Sequence, residues 1–338
     1  MLYRLFIFSL SLFLFACQEE TTDTTQEDLF IQPLELNYTT APVTFESVDD
    51  SNFQFAADVV YDNAHERNVL DIFTINSETP APLVLFIHPG GFIQGDKKEA
   101  YNFTAELESI LKENIAFATI NYRFLQHTDD GVRTSLHDAR RALQFLRLHA
   151  EELNIDPERV GVLGVSAGGG AAMWLGTQDD MANLKSMDLR EQQSTRPQAV
   201  VALGVQASYD LVQWEAIFKE FDFNLDADEE RLAALYSFYG ISSLDELYSK
   251  EMEAYRAEVD MLDLMTVDDV PFYAINIGPT AKPQDDGELY HHPFHVAALK
   301  EAADAAGVAN QVYAPTMGIW AKEGEEPIEY MIRRLKEE

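Results

Sequence analysis

The chain has 338 residues, 46% of them hydrophobic, enough for one large core and compatible with a single α/β domain. Its 58 acidic residues against 24 basic ones leave a formal net charge of -34. Such a surface repels phosphate backbones and anionic headgroups and so excludes a nucleic-acid partner. The one cysteine, Cys17, excludes an intrachain disulfide.

Residues 1–16 read MLYRLFIFSLSLFLFA: an early Arg4, then an apolar run too short for a comfortable membrane span. That is the pattern of a signal-peptide core. The run ends in Leu14-Phe15-Ala16-Cys17, which resembles the lipobox of bacterial lipoproteins, with Phe15 bulkier than the small residue usual there. The resemblance implies cleavage before Cys17, a lipid on its sulfur and a membrane held through that lipid. Gln18-Glu19-Glu20 is similar to the acidic export tags of surface lipoproteins. The expected location is therefore a bacterial outer membrane, facing the cell surface or the periplasm. The polar, aperiodic stretch after Cys17 reads as a tether over 17–45, leaving 46–338 as the folded domain.

From there strands and helices alternate, which predicts an α/β fold: a mostly parallel sheet with helices on both faces. Strands are expected at 53–61 and 68–75, then at 83–88, where LVLFIH is a continuous apolar run suited to burial on both faces. A helix is expected over 99–113, a strand over 115–122, and a long helix over 131–152 with Leu136, Leu143 and Leu146 near helical spacing. A central strand at 160–165 leads into a helix from Ala167. Strands at 199–205, 271–277 and 311–314 follow, and a helix over 328–335 ends the pattern. Between 209 and 267 the strand rhythm breaks into acidic, aromatic, helical segments, read as a lid inserted in the core fold.

Two motifs carry chemistry. Gly164-Val165-Ser166-Ala167-Gly168 fits the G-x-S-x-G nucleophile elbow, with an apolar strand before it and a helix after it. The tight turn needs glycines, and it exposes the serine hydroxyl at a helix N-terminus that favours a developing oxyanion. His88-Pro89-Gly90-Gly91-Phe92, just after the LVLFIH strand, resembles the HGGG loop of lipases and esterases. Amides of Gly90, Gly91 and Ala167 are the expected oxyanion donors. His88 reads as a support for the loop rather than a base, and Asp138, on the long helix, as structural.

With Asn121-Tyr122-Arg123, the run from Asp156 to Gly169 and VLDIF around Asp71, these motifs make the chain similar to the esterase/lipase branch of the α/β hydrolases, which includes hormone-sensitive-lipase-like carboxylesterases. The resemblance covers about residue 53 onward, least clearly in the lid. It implies hydrolysis of carboxylic esters without a cofactor, and a small or carbohydrate-linked ester is the expected substrate. Ser166 attacks, a histidine relays the proton and a carboxylate orients that histidine.

The family pattern departs at the base. The triad order is serine, acid, histidine, and the histidine is expected near Gly318 or Ile319, yet no histidine follows His295. The cluster Tyr290-His291-His292-Pro293-Phe294-His295 follows the penultimate strand, on the rim of the sheet that Ser166 shares. His291 or His292 is the expected base, with His295 also open. A structural role for the cluster, with Pro293 starting a helix that a histidine caps, stands beside that. A metal held by His291 and His295 is weakly signalled, because no acidic H-E-x-x-H pattern accompanies them. Asp286 is the expected acid, with Asp285, Glu288 and Asp210 as alternatives. Two readings of function follow: a serine esterase, or a hydrolase fold that binds without catalysis because its usual histidine is missing.

Overall fold

The computed structural model of the protein describes residues 33–227 and 229–337. The signal-peptide reading, Cys17 and the tether as far as residue 32 lie outside the described residues. Among those described, nine strands form one sheet: β1 (Tyr38–Thr39), β2 (Phe53–Val60), β3 (Val69–Ile75), β4 (Ala81–Ile87), β5 (Ala116–Ile120), β6 (Ile155–Val165), β7 (Ala199–Leu203), β8 (Phe272–Ile275) and β9 (Asn310–Tyr313). Their order is β1-β2-β3-β5-β4-β6-β7-β8-β9. Pairings up to β3–β5 are antiparallel and the rest are parallel. The mostly parallel sheet is what the alternation of elements predicts, and the whole is the α/β-hydrolase fold that the resemblance implies.

The central strands are apolar throughout because both of their faces are covered. Every residue of β4 and of β5 is buried. Helices α1 (Thr104–Lys112) and α10 (Pro327–Lys336) pack with each other and with the sheet, while α2 (Val132–Leu148) packs with α3 (Ala167–Thr177) and β6. On α2 the predicted stripe of Leu136, Leu143 and Leu146 is fully buried.

Three boundaries differ from the sequence reading. Residues 33–45, expected as tether, lie on the body: Leu34 and Leu36, two apart, turn one side inward, and Tyr38–Thr39 pairs with β2. The helix expected from 99 begins as a short 3-10 turn at Lys97–Asn102, started by a reciprocal cap between Asp96 and Glu99. That turn draws Lys97 into the interior, where its Nζ meets Asp58 at 2.9 Å and Asp71 at 2.8 Å. The long helix stops at Leu148, a turn early. Nearby, the buried guanidinium of Arg147 donates to the carbonyls of Pro157, Ser194 and Arg196.

Between β7 and β8 the predicted helical insertion forms α4 (Gln213–Ile217), α5 (Glu229–Tyr239), α6 (Leu244–Leu247) and α7 (Lys250–Glu258). Buried tyrosines tie it down. Tyr239 donates to the Tyr209 carbonyl at 2.8 Å, and Tyr209 donates to the Ala167 carbonyl at 2.8 Å. After β8 come α8 (Asp286–Tyr290) and α9 (Pro293–Ala306), joined by the two residues His291 and His292.

Candidate active site

Ser166 stands at the corner between β6 and α3 with φ 53° and ψ -120°, a backbone state that non-glycine residues rarely hold. The corner closes because its neighbours lack side chains. A Cβ on Gly164 would lie 2.0 Å from the Gly168 carbonyl oxygen. The Ser166 amide donates to Leu203 in β7 at 2.7 Å, and its carbonyl accepts from Gly170 at 3.0 Å. The hydroxyl is thus presented at the start of α3, where the first amides have no helical acceptor.

Facing it is His291. The Ser166 Oγ and His291 Nε2 are 2.8 Å apart. With the hydroxyl donating, the ring proton sits on Nδ1. Burial pushes the imidazole below its usual range, and the Gly287 carbonyl partly opposes this. Among the described residues no carboxylate bonds this ring.

The other predicted acids and bases have other partners. Asp286, expected beside the histidine, lies at the first turn of α8, whereas His291 caps the last turn. The carboxylate meets Arg231 at 3.5 Å and the Tyr290 phenol, which burial and this neighbour push up to about 12. Asp285 caps α8 by accepting from the Glu288 amide at 2.8 Å. Glu288 accepts from the Gln284 amide at 2.8 Å. Asp210 pairs with Arg256 at 2.9 Å; burial raises its carboxyl while Arg256 opposes the rise.

His292 caps α9. Its Nδ1 accepts from the Phe294 amide at 3.2 Å, its Nε2 donates to the Ala281 carbonyl at 3.1 Å, and Pro293 opens the helix. His295 is fully buried between the Ala207 amide and the Leu289 carbonyl, and burial pushes it down to about 3. With both of its nitrogens engaged, it has none left for a metal beside His291. The described residues contain no group of three or more histidine, cysteine, aspartate or glutamate side chains placed for a metal. The cluster therefore divides its roles: one histidine faces the serine and two hold backbone.

The glycine loop has the geometry its sequence requires. Gly90 has φ 122°, and a Cβ there would strike the Gln94 carbonyl oxygen at 2.0 Å. The amides of Gly90, Gly91 and Ala167 donate to no acceptor among the described residues. Gly91, Ser166 and Ala167 line one cavity of about 320 Å³. His88 stays beneath the loop. Its ring stacks on Tyr122 at 4.3 Å, its Nδ1 lies 2.6 Å from the Pro89 carbonyl oxygen, and burial pushes it down to about 4. Arg123 and Asp138 form a forked pair, with a shortest contact of 2.6 Å, that joins the β5 exit to α2.

Sequence reasoning missed the groups that hold His291 in place. Asn276, buried after β8, accepts from the Val205 amide at 2.9 Å and donates to the carbonyls of Val205 and His292 at 3.0 and 2.9 Å. Gln206 donates to the Tyr290 carbonyl at 2.9 Å. Neither carries a motif; only the paired loops reveal them. Arg231, reaching from α5 into the 320 Å³ cavity, likewise has no sequence signal.

The BD-FAE family model matches residues 70–274, more than half of the chain. The carboxylesterase patB of Penicillium expansum is 28% identical over 107 residues, which are 28% of this chain and 19% of that protein. The chain thus matches about a fifth of the length of that relative. Among solved structures, a truncated form of a carbohydrate esterase from gut microbiota is similar over 86% of this chain and all of that one, with a TM-score of 0.63 and 16% identity. An acetyl ester-xyloside bifunctional hydrolase from Caldicellulosiruptor lactoaceticus is similar over 73% of this chain and 77% of that one, with a TM-score of 0.51 and 22% identity. At these identities the structural likenesses speak for the fold, and the sheet order with its serine corner agrees with them. The chain belongs to the BD-FAE family, among the esterase-type α/β hydrolases.

Proposed function

We propose that the chain is a serine carboxylic-ester hydrolase acting on a small or carbohydrate-linked ester, with Ser166 as nucleophile and His291 as base. The observation that carries this reading is the 2.8 Å contact between Ser166 Oγ and His291 Nε2. The ester carbonyl lies with its oxygen toward the unused amides of Gly90, Gly91 and Ala167. Ser166 attacks the carbonyl carbon as His291 takes the hydroxyl proton. The amides hold the oxyanion, and His291 returns the proton to the leaving oxygen as the C–O bond breaks. Water then repeats the sequence on the acyl-serine and releases the acid. In place of a carboxylate, the Gly287 backbone carbonyl partly favours the charged ring. The carbohydrate part of the reading draws on the cavity wall, which combines the aromatic residues Tyr209, Trp214 and Tyr290 with the polar residues Gln206, Ser237 and Arg231.

The test is p-nitrophenyl acetate turnover by the purified protein and by Ser166→Ala; equal rates would sink the proposal. A second reading, an ester-binding fold without turnover, is favoured by the finding that no carboxylate among the described residues bonds the His291 ring. Covalent labelling of Ser166 by a fluorophosphonate decides between the two, since an unactivated serine stays unlabelled. We also propose that Cys17 carries lipid and holds the protein at a bacterial outer membrane. Cys17→Ser should then move it from the membrane fraction to the soluble fraction.

A further inference from the structure

A second cavity lies on the other side of His291. It measures about 830 Å³ and is lined by α1, the start of α10 and residues of the central strands. Its floor is apolar, with Phe86, Phe103, Ile110, Phe117, Leu163 and Ile275, and its rim carries Glu106, Glu288 and Glu326. Ser166 lines the smaller cavity and His291 lines this one, so the 2.8 Å serine–histidine contact joins the two linings. The segment from β9 to residue 325 contributes nothing to the lining of the larger cavity. Ala314 pairs with Ile319, and the Thr316 hydroxyl donates to the Gly278 carbonyl at 2.8 Å, which turns the segment back on itself.

We infer that this cleft is the subsite for the alcohol arm of the ester, and that it takes a neutral alkyl or aryl alcohol. The inference rests on the serine-esterase reading above. The oxyanion amides fix the carbonyl in the smaller cavity. The leaving oxygen must lie within reach of His291 Nε2 to be protonated, so the group attached to that oxygen extends on the histidine side. An apolar floor of this volume favours hydrocarbon, and three rim glutamates disfavour an anionic arm. When the acid of the ester carries a sugar, that sugar occupies the acyl side, lined by Tyr209 and Trp214.

The test compares acetate esters of ethanol, butanol and octanol with ethyl octanoate, on the wild-type chain and on Ala105→Trp and Ser109→Trp. Both positions are exposed on α1 at the cleft wall, so either indole can fill it with little cost to folding. The wild type should show kcat/KM rising by about tenfold or more from ethyl to octyl acetate, since burying even two of the added methylenes at about 0.8 kcal/mol each gives that factor. Each tryptophan should abolish that rise and leave ethyl acetate and ethyl octanoate within about twofold. A loss on ethyl octanoate instead, or no change on any ester, overturns the inference while leaving the esterase reading intact. If the chain turns over no ester, calorimetric titration with 1-octanol replaces the rate. Binding that either tryptophan removes supports the cleft, and no binding to the wild type refutes it.

Discussion

Replacing Asp286 with asparagine should leave esterase turnover nearly intact, although this residue occupies the loop where the fold usually keeps its catalytic acid. The carboxylate touches Arg231 at 3.5 Å, with the acid side chain about half exposed, and has no contact with the His291 ring. Exposed ion pairs of this kind contribute roughly 0–1 kcal/mol, so a shifted Arg231 can change kcat/KM by at most about fivefold. An acid that orients the base is worth far more, on the order of 10⁴ in kcat, or about 5–6 kcal/mol. The two expectations differ by about three orders of magnitude, well beyond assay error. The measurement is kcat and KM for p-nitrophenyl acetate with Asp286→Asn, alongside Asp285→Asn and Glu288→Gln. Each of the latter keeps an amide oxygen to accept the same backbone N–H, so either should cost less than about 1 kcal/mol of local stability. A fall of a thousandfold or more in kcat for any one variant, with the fold intact by circular dichroism, would refute the reasoning. It would mean that this carboxylate swings onto His291 during the reaction.

Other outcomes follow from the same geometry. His291 works as a base only when neutral, and burial lowers its pKa, so the acid limb of the kcat/KM–pH profile should fall below the ordinary histidine value of about 6.5. A limb at or above 6.5 contradicts this. His88 and His295 are buried with pKa values of about 4 and about 3, so between those values and 6.5 the unfolded chain binds protons that the folded chain does not. Stability should therefore be fully present above 6.5 and fall as the pH drops, by about 2 kcal/mol per histidine between pH 6.5 and 5, as measured by urea unfolding. Asn276→Ala leaves Val205 and His292 backbone groups unpaired and should cost about 3 kcal/mol or more in the same unfolding assay. Among molecules that still fold, it should lower kcat more than it raises KM, because it loosens the loop that presents His291. Gly164→Ala should prevent soluble expression, since its methyl would occupy the place of the Gly168 carbonyl.

The parts of the site that the sequence made legible are those in which local chain geometry and chemistry coincide. The elbow needs its glycines where a strand turns directly into a helix, so Gly164 and Gly168 mark the turn and Ser166 follows. The loop from His88 to Phe92 needs positive φ at Gly90 and Gly91, and those residues declare it. Buried strands such as β4 declare themselves by continuous apolarity. The histidine pairing was not legible, because His291, His292 and His295 are separated only by how α8 ends and α9 begins. Pro293 fixes the start of α9 and commits His292 to its cap. That leaves His291 at the last turn of α8, one residue outside the new helix and aimed at the serine. His295, one turn into α9, faces Trp214 and Phe218 and is consumed by backbone groups. The loop after β9, where the family resemblance looks for a base, bends back through Ala314 and Ile319 and leaves a cleft. One change in how two loops are built thus accounts for two features: a histidine that faces the serine from before the last strand, and an apolar cavity that the same histidine lines.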